Sequence, residues 1–131
     1  MKALFAVVLF VVVAAGMHGD AHVAAPAAGN AAVARHMAAA SYGWDGAQWT
    51  CLDDLWTHEN AAWNAQQWNL TGSGAYGIAQ ALPASKMASA GPDYMTNPAT
   101  QIKWGLGYIR GRYGNPCSAW SAWSARNPHW Y

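Results

Sequence analysis

Apolar residues follow three different patterns along the chain. From Ala3 to Ala15 they are continuous, about 13 in a row behind Met1-Lys2. From His22 to Ala40 nearly every apolar residue is alanine, broken by Pro26 and Gly29. Beyond Tyr42 they become periodic. Leu52, Leu55 and Trp56 share one helical face, and Asp45 and Gln48 have the spacing of a capping box at its start. Trp44 and Trp49 flank that cap at hydrophobic-staple spacing, so the first helix is predicted to run to about Asn60. Residues 61–75, rich in Asn, Gln, Gly and Thr, read as loop. A short apolar piece follows at Tyr76-Gly77-Ile78-Ala79-Gln80, and Pro83 is placed to start a short helix. Asn97-Pro98 is a cap followed by a first-turn proline. Ile102, Leu106, Ile109 and Tyr113 then form one stripe at i, i+4, i+7 and i+11, stopped by Gly114. In the tail, Ser118 is a candidate cap for a last short helix. No segment shows the sustained alternation of a strand. The fold class read from these periods is mainly α, in one small domain.

The first two patterns set the organisation. A single positive charge before a short apolar run is the pattern of a signal peptide, too short for the roughly 20 residues of a membrane span. It is assigned to residues 1–21, with small-residue cleavage sites between 16 and 27; an uncleaved anchor is the alternative. Residues 22–41 read as an Ala-rich flexible spacer. All nine tryptophans lie between Trp44 and Trp130, which places the globular domain at 42–131. A domain of about 90 residues is expected to need a cross-link. Cys51 and Cys117, the only cysteines, are expected to form a disulfide in an exported protein. Closing a loop of roughly 65 residues stabilises by about 4 kcal/mol in the chain-entropy account.

Charge narrows the partners. Seven basic and six acidic residues give a net charge of +1, with no basic run, so nucleic acid is not expected. The histidines lack metal-ligand spacing, and neither a metal nor a cofactor is expected. Five carboxylate side chains lie in the domain: Asp45, Asp53, Asp54, Glu59 and Asp93. Glu59 follows Leu52, Leu55 and Trp56 by seven, four and three, which sets it on the apolar face where a long polar loop begins. Desolvation there raises a carboxyl's pKa, as a glycosidase acid requires. A Glu at a frayed helix end that reaches solvent fits the same position. Asp93, in Gly91-Pro92-Asp93, reads as a turn residue or as a second carboxylate. Trp49, Trp56, Trp63 and Trp104 have core spacings, and Trp68 in the polar loop is the better candidate for a sugar contact. Lys103 and Arg110 share a helix face, either beside an anionic polymer or simply in solvent.

Three segments carry a resemblance. Leu55-Trp56-Thr57-His58-Glu59-Asn60, Gly74-Ala75-Tyr76-Gly77-Ile78-Ala79-Gln80, and Gln101-Ile102-Lys103-Trp104-Gly105-Leu106-Gly107-Tyr108-Ile109 are similar, in order and spacing, to the motifs of soluble lytic transglycosylases. The whole arrangement looks like the small exported transglycosylase-like proteins of actinobacteria, related in fold to resuscitation-promoting factors and goose-type lysozymes. The resemblance implies a lysozyme-like domain that cleaves the MurNAc-GlcNAc β-1,4 bond of peptidoglycan, with Glu59 as general acid and base. It places Gln80 in the cleft lining, Tyr108 near the catalytic carboxyl, and Tyr76 at the cleft wall, able to stack on a sugar. Asn60 stands where the family usually has serine, and Gln101 where it has asparagine. A single carboxylate suffices for a transglycosylase, which yields 1,6-anhydromuramic acid, whereas ordinary hydrolysis uses two. The expectation is therefore a secreted, monomeric cell-wall enzyme, free of membrane after signal removal, with another cell-wall hydrolase as candidate partner. The alternatives are a lysozyme-type hydrolase, a peptidoglycan-binding module without turnover, and a membrane-active protein, against which the lack of a basic amphipathic helix argues.

Overall fold

The computed structural model describes residues 27–131, so the signal-peptide assignment and the first residues of the expected spacer lie outside it. Four α-helices and one 3₁₀ turn make up the described chain: α1 (Ala27–Tyr42), α2 (Gly46–Glu59), the 3₁₀ segment Ala84–Ser89, α3 (Pro98–Tyr113) and α4 (Pro116–Ala125). Among the described residues no helix is long and apolar enough to cross a membrane. There is no strand there either, only the isolated bridges Trp68–Tyr76 and Tyr76–Ala81 inside the long loop. The mainly helical class is as the periodicities indicate.

Helix α1 corrects the spacer expected at 22–41, since residues 27–42 are helical and packed. Alanine is the strongest helix former, and Asn30, Ala34 and Ala38 recur every fourth residue, all buried. With no bulk on that stripe, α1 approaches α3 closely, and the Asn30 amide donates to the Trp63 carbonyl at 2.9 Å. The folded domain therefore begins well before residue 42.

Helix α2 has Asp45 at its N-cap, but the capping box does not form. Asp45 makes no side-chain cap bond, and Gln48 Oε1 instead accepts the N–H of Cys117 at 3.0 Å. Trp44 stacks on Tyr42 and Trp49 lies near Trp63, so their side chains serve the core. The apolar face of α2 is as expected: Leu52, Leu55 and Trp56 are fully buried. Helix α3 starts at Asn97-Pro98, where Asn97 Oδ1 accepts the Ala99 N–H at 2.9 Å. It ends at Gly114, whose φ of 85° suits glycine. The same asparagine-proline pair recurs at Asn115-Pro116 and starts α4. Asn115 Oδ1 accepts the Ser118 N–H, so Ser118 is inside the helix and does not cap it.

Cys51 and Cys117 are joined, bringing the first turn of α4 against the middle of α2. The two helices pack side by side and run parallel, since Gln48 and Cys51 meet Cys117 while His58 and Glu59 meet Trp120 and Trp123. Gly105 on α3 is a point of close approach to α2 and to the loop. A Cβ there would lie 2.6 Å from the Trp56 ring and 2.8 Å from Ala79 Cβ.

Candidate active site

Glu59 ends α2 at the edge of a cleft of about 630 Å³. The cleft is lined by the loop from Asn69 to Leu82, by Lys86 of the 3₁₀ segment, by Trp104, Tyr108 and Arg112 of α3, and by the segment Pro128–Tyr131. Glu59 is the only carboxylate side chain among the described residues lining it.

The loop is braced from beneath. Asn60, buried at the C-cap of α2, donates to the carbonyls of Asn64 (2.8 Å) and Gly77 (3.0 Å) and accepts the Asn64 N–H (3.1 Å). Gln101, fully buried on α3, donates to the carbonyls of Ala65 (2.7 Å) and Tyr94 (2.8 Å) and accepts the Ile78 N–H (2.9 Å). Gly77 has φ 77° and lies against that amide, leaving no room for a side chain. These bonds bring Ala79 and Gln80 to the cleft. Gln80 holds a φ of 50° and donates to the Gly77 carbonyl at 2.8 Å; a non-glycine residue in this region costs on the order of 1 kcal/mol or more and is often found at binding sites.

Around the Glu59 carboxyl, Trp123 Nε1–H donates to Oε1 at 2.6 Å. Burial pushes the carboxyl above its ordinary pKa. The Trp123 bond and, after it, the nearby His129 and His58 pull it down, without cancelling the rise. His129 Nδ1 lies 2.8 Å from the Trp123 carbonyl. A carbonyl only accepts, so that nitrogen carries a hydrogen. Tyr131, half-buried and lining the cleft, turns its hydroxyl inward, where it takes the Trp56 indole N–H (2.8 Å) and donates to the Ala79 carbonyl (2.7 Å). Desolvation, then the charge of Glu59, hold that phenol well above its usual pKa.

Of the residues singled out in the sequence, Glu59, Gln80 and Tyr108 meet at the cleft. Tyr108 stacks on Trp104, and its hydroxyl donates to the Tyr131 carbonyl (3.2 Å) instead of to Glu59. Tyr76 is not at the cleft wall: its ring is buried and its hydroxyl donates to the Met95 carbonyl at 2.6 Å, leaving no face for a sugar. Asn60 is likewise a brace and no substrate contact. Trp68 is 46% exposed and lies over Tyr76, one residue from the cleft-lining Asn69. Asp93 is outside the cleft, its two oxygens accepting from Asn97 Nδ2 and Thr100 Oγ1, which hold it below the usual carboxylate range. Lys103 and Arg110 are exposed away from the cleft, and the cations that line it are Lys86 and Arg112. Trp123, His129 and Tyr131 are contributed by parts of the chain with no local motif. The pointer to them was the disulfide, which sets α4 beside α2 so that a residue two turns beyond Cys117 can reach Glu59.

Among the described residues no group of three or more His, Cys, Asp or Glu is placed to hold a metal ion. Comparison of the chain with protein families, with curated proteins and with solved structures found no match in any of the three.

Proposed function

We propose that this protein is an exported, lysozyme-like glycosidase that cleaves the MurNAc-GlcNAc β-1,4 bond of peptidoglycan, acting as a lytic transglycosylase with Glu59 as its one catalytic carboxyl. The observation that carries the reading is a single carboxyl, kept protonated to higher pH by burial, at the edge of a cleft of about 630 Å³ with aromatic lining. In the reaction, neutral Glu59 gives its proton to the glycosidic oxygen as the C1–O bond breaks. The resulting carboxylate then takes the proton of the muramic acid 6-hydroxyl as that oxygen bonds to C1. The acid is restored, no water is consumed, and the products are a 1,6-anhydromuramyl end and a free GlcNAc hydroxyl.

The commitment of Asp93 to Asn97 and Thr100 supports one-carboxylate chemistry over ordinary hydrolysis, which usually employs a second carboxylate at the cleft. The aromatic lining of Trp104, Tyr108 and Trp130 suits sugar faces, and Lys86 with Arg112 suits an anionic cell-wall polymer.

The test is incubation of the oxidised protein with peptidoglycan, soluble products being read by mass spectrometry beside Glu59→Gln. Anhydro-muropeptides are expected from the parent, with release reduced about 10³-fold or more in the variant. Products with reducing ends would move the assignment to a hydrolase. Binding without any release would make the protein a peptidoglycan-binding module.

A further inference from the structure

The hydrogen bond on Glu59 comes from a side chain that is itself tightly held. Trp120 stacks on the Trp123 ring at 5.0 Å and 16°, and His129 stacks on it at 4.1 Å and 15°. His58 meets it edge-on at 5.3 Å. His129 is tied in turn to the Trp123 carbonyl. The indole thus has little rotational freedom, and its one polar hydrogen is directed at Oε1.

We propose that Trp123 is a positioning residue for the Glu59 acid: its N–H keeps Oε1 an acceptor and leaves Oε2 to carry the transferable proton. This rests on the reading of Glu59 as general acid. An indole N–H can only donate. A neutral carboxyl bears its hydrogen on one oxygen, and that hydroxyl oxygen is a weaker acceptor than the carbonyl oxygen, so an N–H favours the oxygen without the proton. The bond therefore selects which oxygen is acidic. After proton transfer the same N–H meets a full negative charge, and charge-assisted bonds are roughly twice as strong as neutral ones. Burial keeps the proton on Glu59, while Trp123 eases its departure, as a group that must both give and retrieve a proton requires. Other titratable or charged groups face the same carboxyl or cleft: His58 from α2, Tyr108 and Arg112 from α3, His129 and Tyr131 from the segment after α4, and Lys86 from the 3₁₀ segment. Their influence on Glu59 passes through space, without the directional bond that fixes one oxygen.

Glu59 is the sole glutamate of the chain, so labelling the whole protein with carboxyl-¹³C glutamate gives one side-chain signal to titrate. In the parent, one of the nine tryptophan indole N–H resonances is expected to move with the same midpoint as that carboxyl. In Trp123→Phe the carboxyl midpoint is expected to move to higher pH, because the lost bond favoured the charged form. The pH at which kcat falls should follow it, with kcat itself down about tenfold and KM within about twofold. A carboxyl midpoint unmoved in Trp123→Phe overturns the proposal, as does a parent in which no indole resonance follows the carboxyl. The second measurement needs no variant and stays decisive if Trp123→Phe does not fold. Neither resonance depends on turnover, so a missing anhydro product would count against the glycosidase reading and leave the indole–carboxyl bond to be judged by its own spectrum.

Discussion

Glu59 is held in a setting that suits its neutral form, and the protein's stability must reflect that. Because the folded-state pKa lies above the unfolded one, the folded state binds the proton more tightly. The contribution of this group to stability is fully present below the ordinary glutamate pKa and is lost as pH rises through the raised folded value. Glu59→Gln removes the titration while keeping an oxygen for the Trp123 N–H. Its thermal midpoint is expected to exceed that of the parent at neutral pH, with the gain shrinking toward pH 4; equal gains at both pH values would contradict the raised pKa. At this scale the sequence was only partly readable. The position of Glu59 followed from helical spacing, since a helix fixes direction every 3.6 residues. Tyr76 and Asn60 lie in or beside an irregular loop, where adjacency along the chain does not say which way a side chain turns, and both turned inward.

At the scale of elements, α2 and α3 were legible because large apolar residues mark their faces and Asn97-Pro98 marks a start. Helix α1 was not: its buried stripe is Ala34 and Ala38, and alanine signals neither a core nor a surface. Its packing is checked by two substitutions of equal chemistry. Ala34→Leu puts bulk into the α1–α3 contact and is expected to cost about 2 kcal/mol in urea unfolding, whereas Ala40→Leu, on the exposed side, is expected to stay within about 0.5 kcal/mol. Equal effects would mean that α1 does not pack. The start of α4 carried the same asparagine-proline signal as α3 and could have been read from it. The side chains that α4 sends to Glu59 could not, because Trp120 and Trp123 have no sequence pattern that distinguishes packing against α2 from packing anywhere else.

For the molecule as a whole, the cleft has one carboxyl, with its pKa raised, among its described lining residues and two exposed cations, Lys86 and Arg112. Replacing both by glutamine is expected to weaken peptidoglycan binding several-fold at low salt and to flatten its salt dependence, with little change at high salt, as screening requires. An unchanged salt slope would remove these residues from the binding account. A different consequence follows from the way α2 and α4 are joined. Side by side and parallel, they are joined like a ladder, with the covalent rung Cys51–Cys117 and its neighbouring Gln48–Cys117 hydrogen bond toward one end, and the Glu59–Trp123 hydrogen bond with the His58–Trp120 contact toward the other. Glu59 lies eight residues beyond Cys51 and Trp123 six beyond Cys117, so the rungs are about 10 Å apart at 1.5 Å per residue. Cutting the sulfur rung lets α4 lean away, and the far rung slackens with it. Treatment with a thiol reductant is expected to move the Glu59 titration to higher pH in a protein that is still folded, and an unmoved titration would show that the rungs are independent. With the rungs coupled in this way, thiol chemistry at one end of the ladder is expected to set how readily a proton leaves Glu59 at the other.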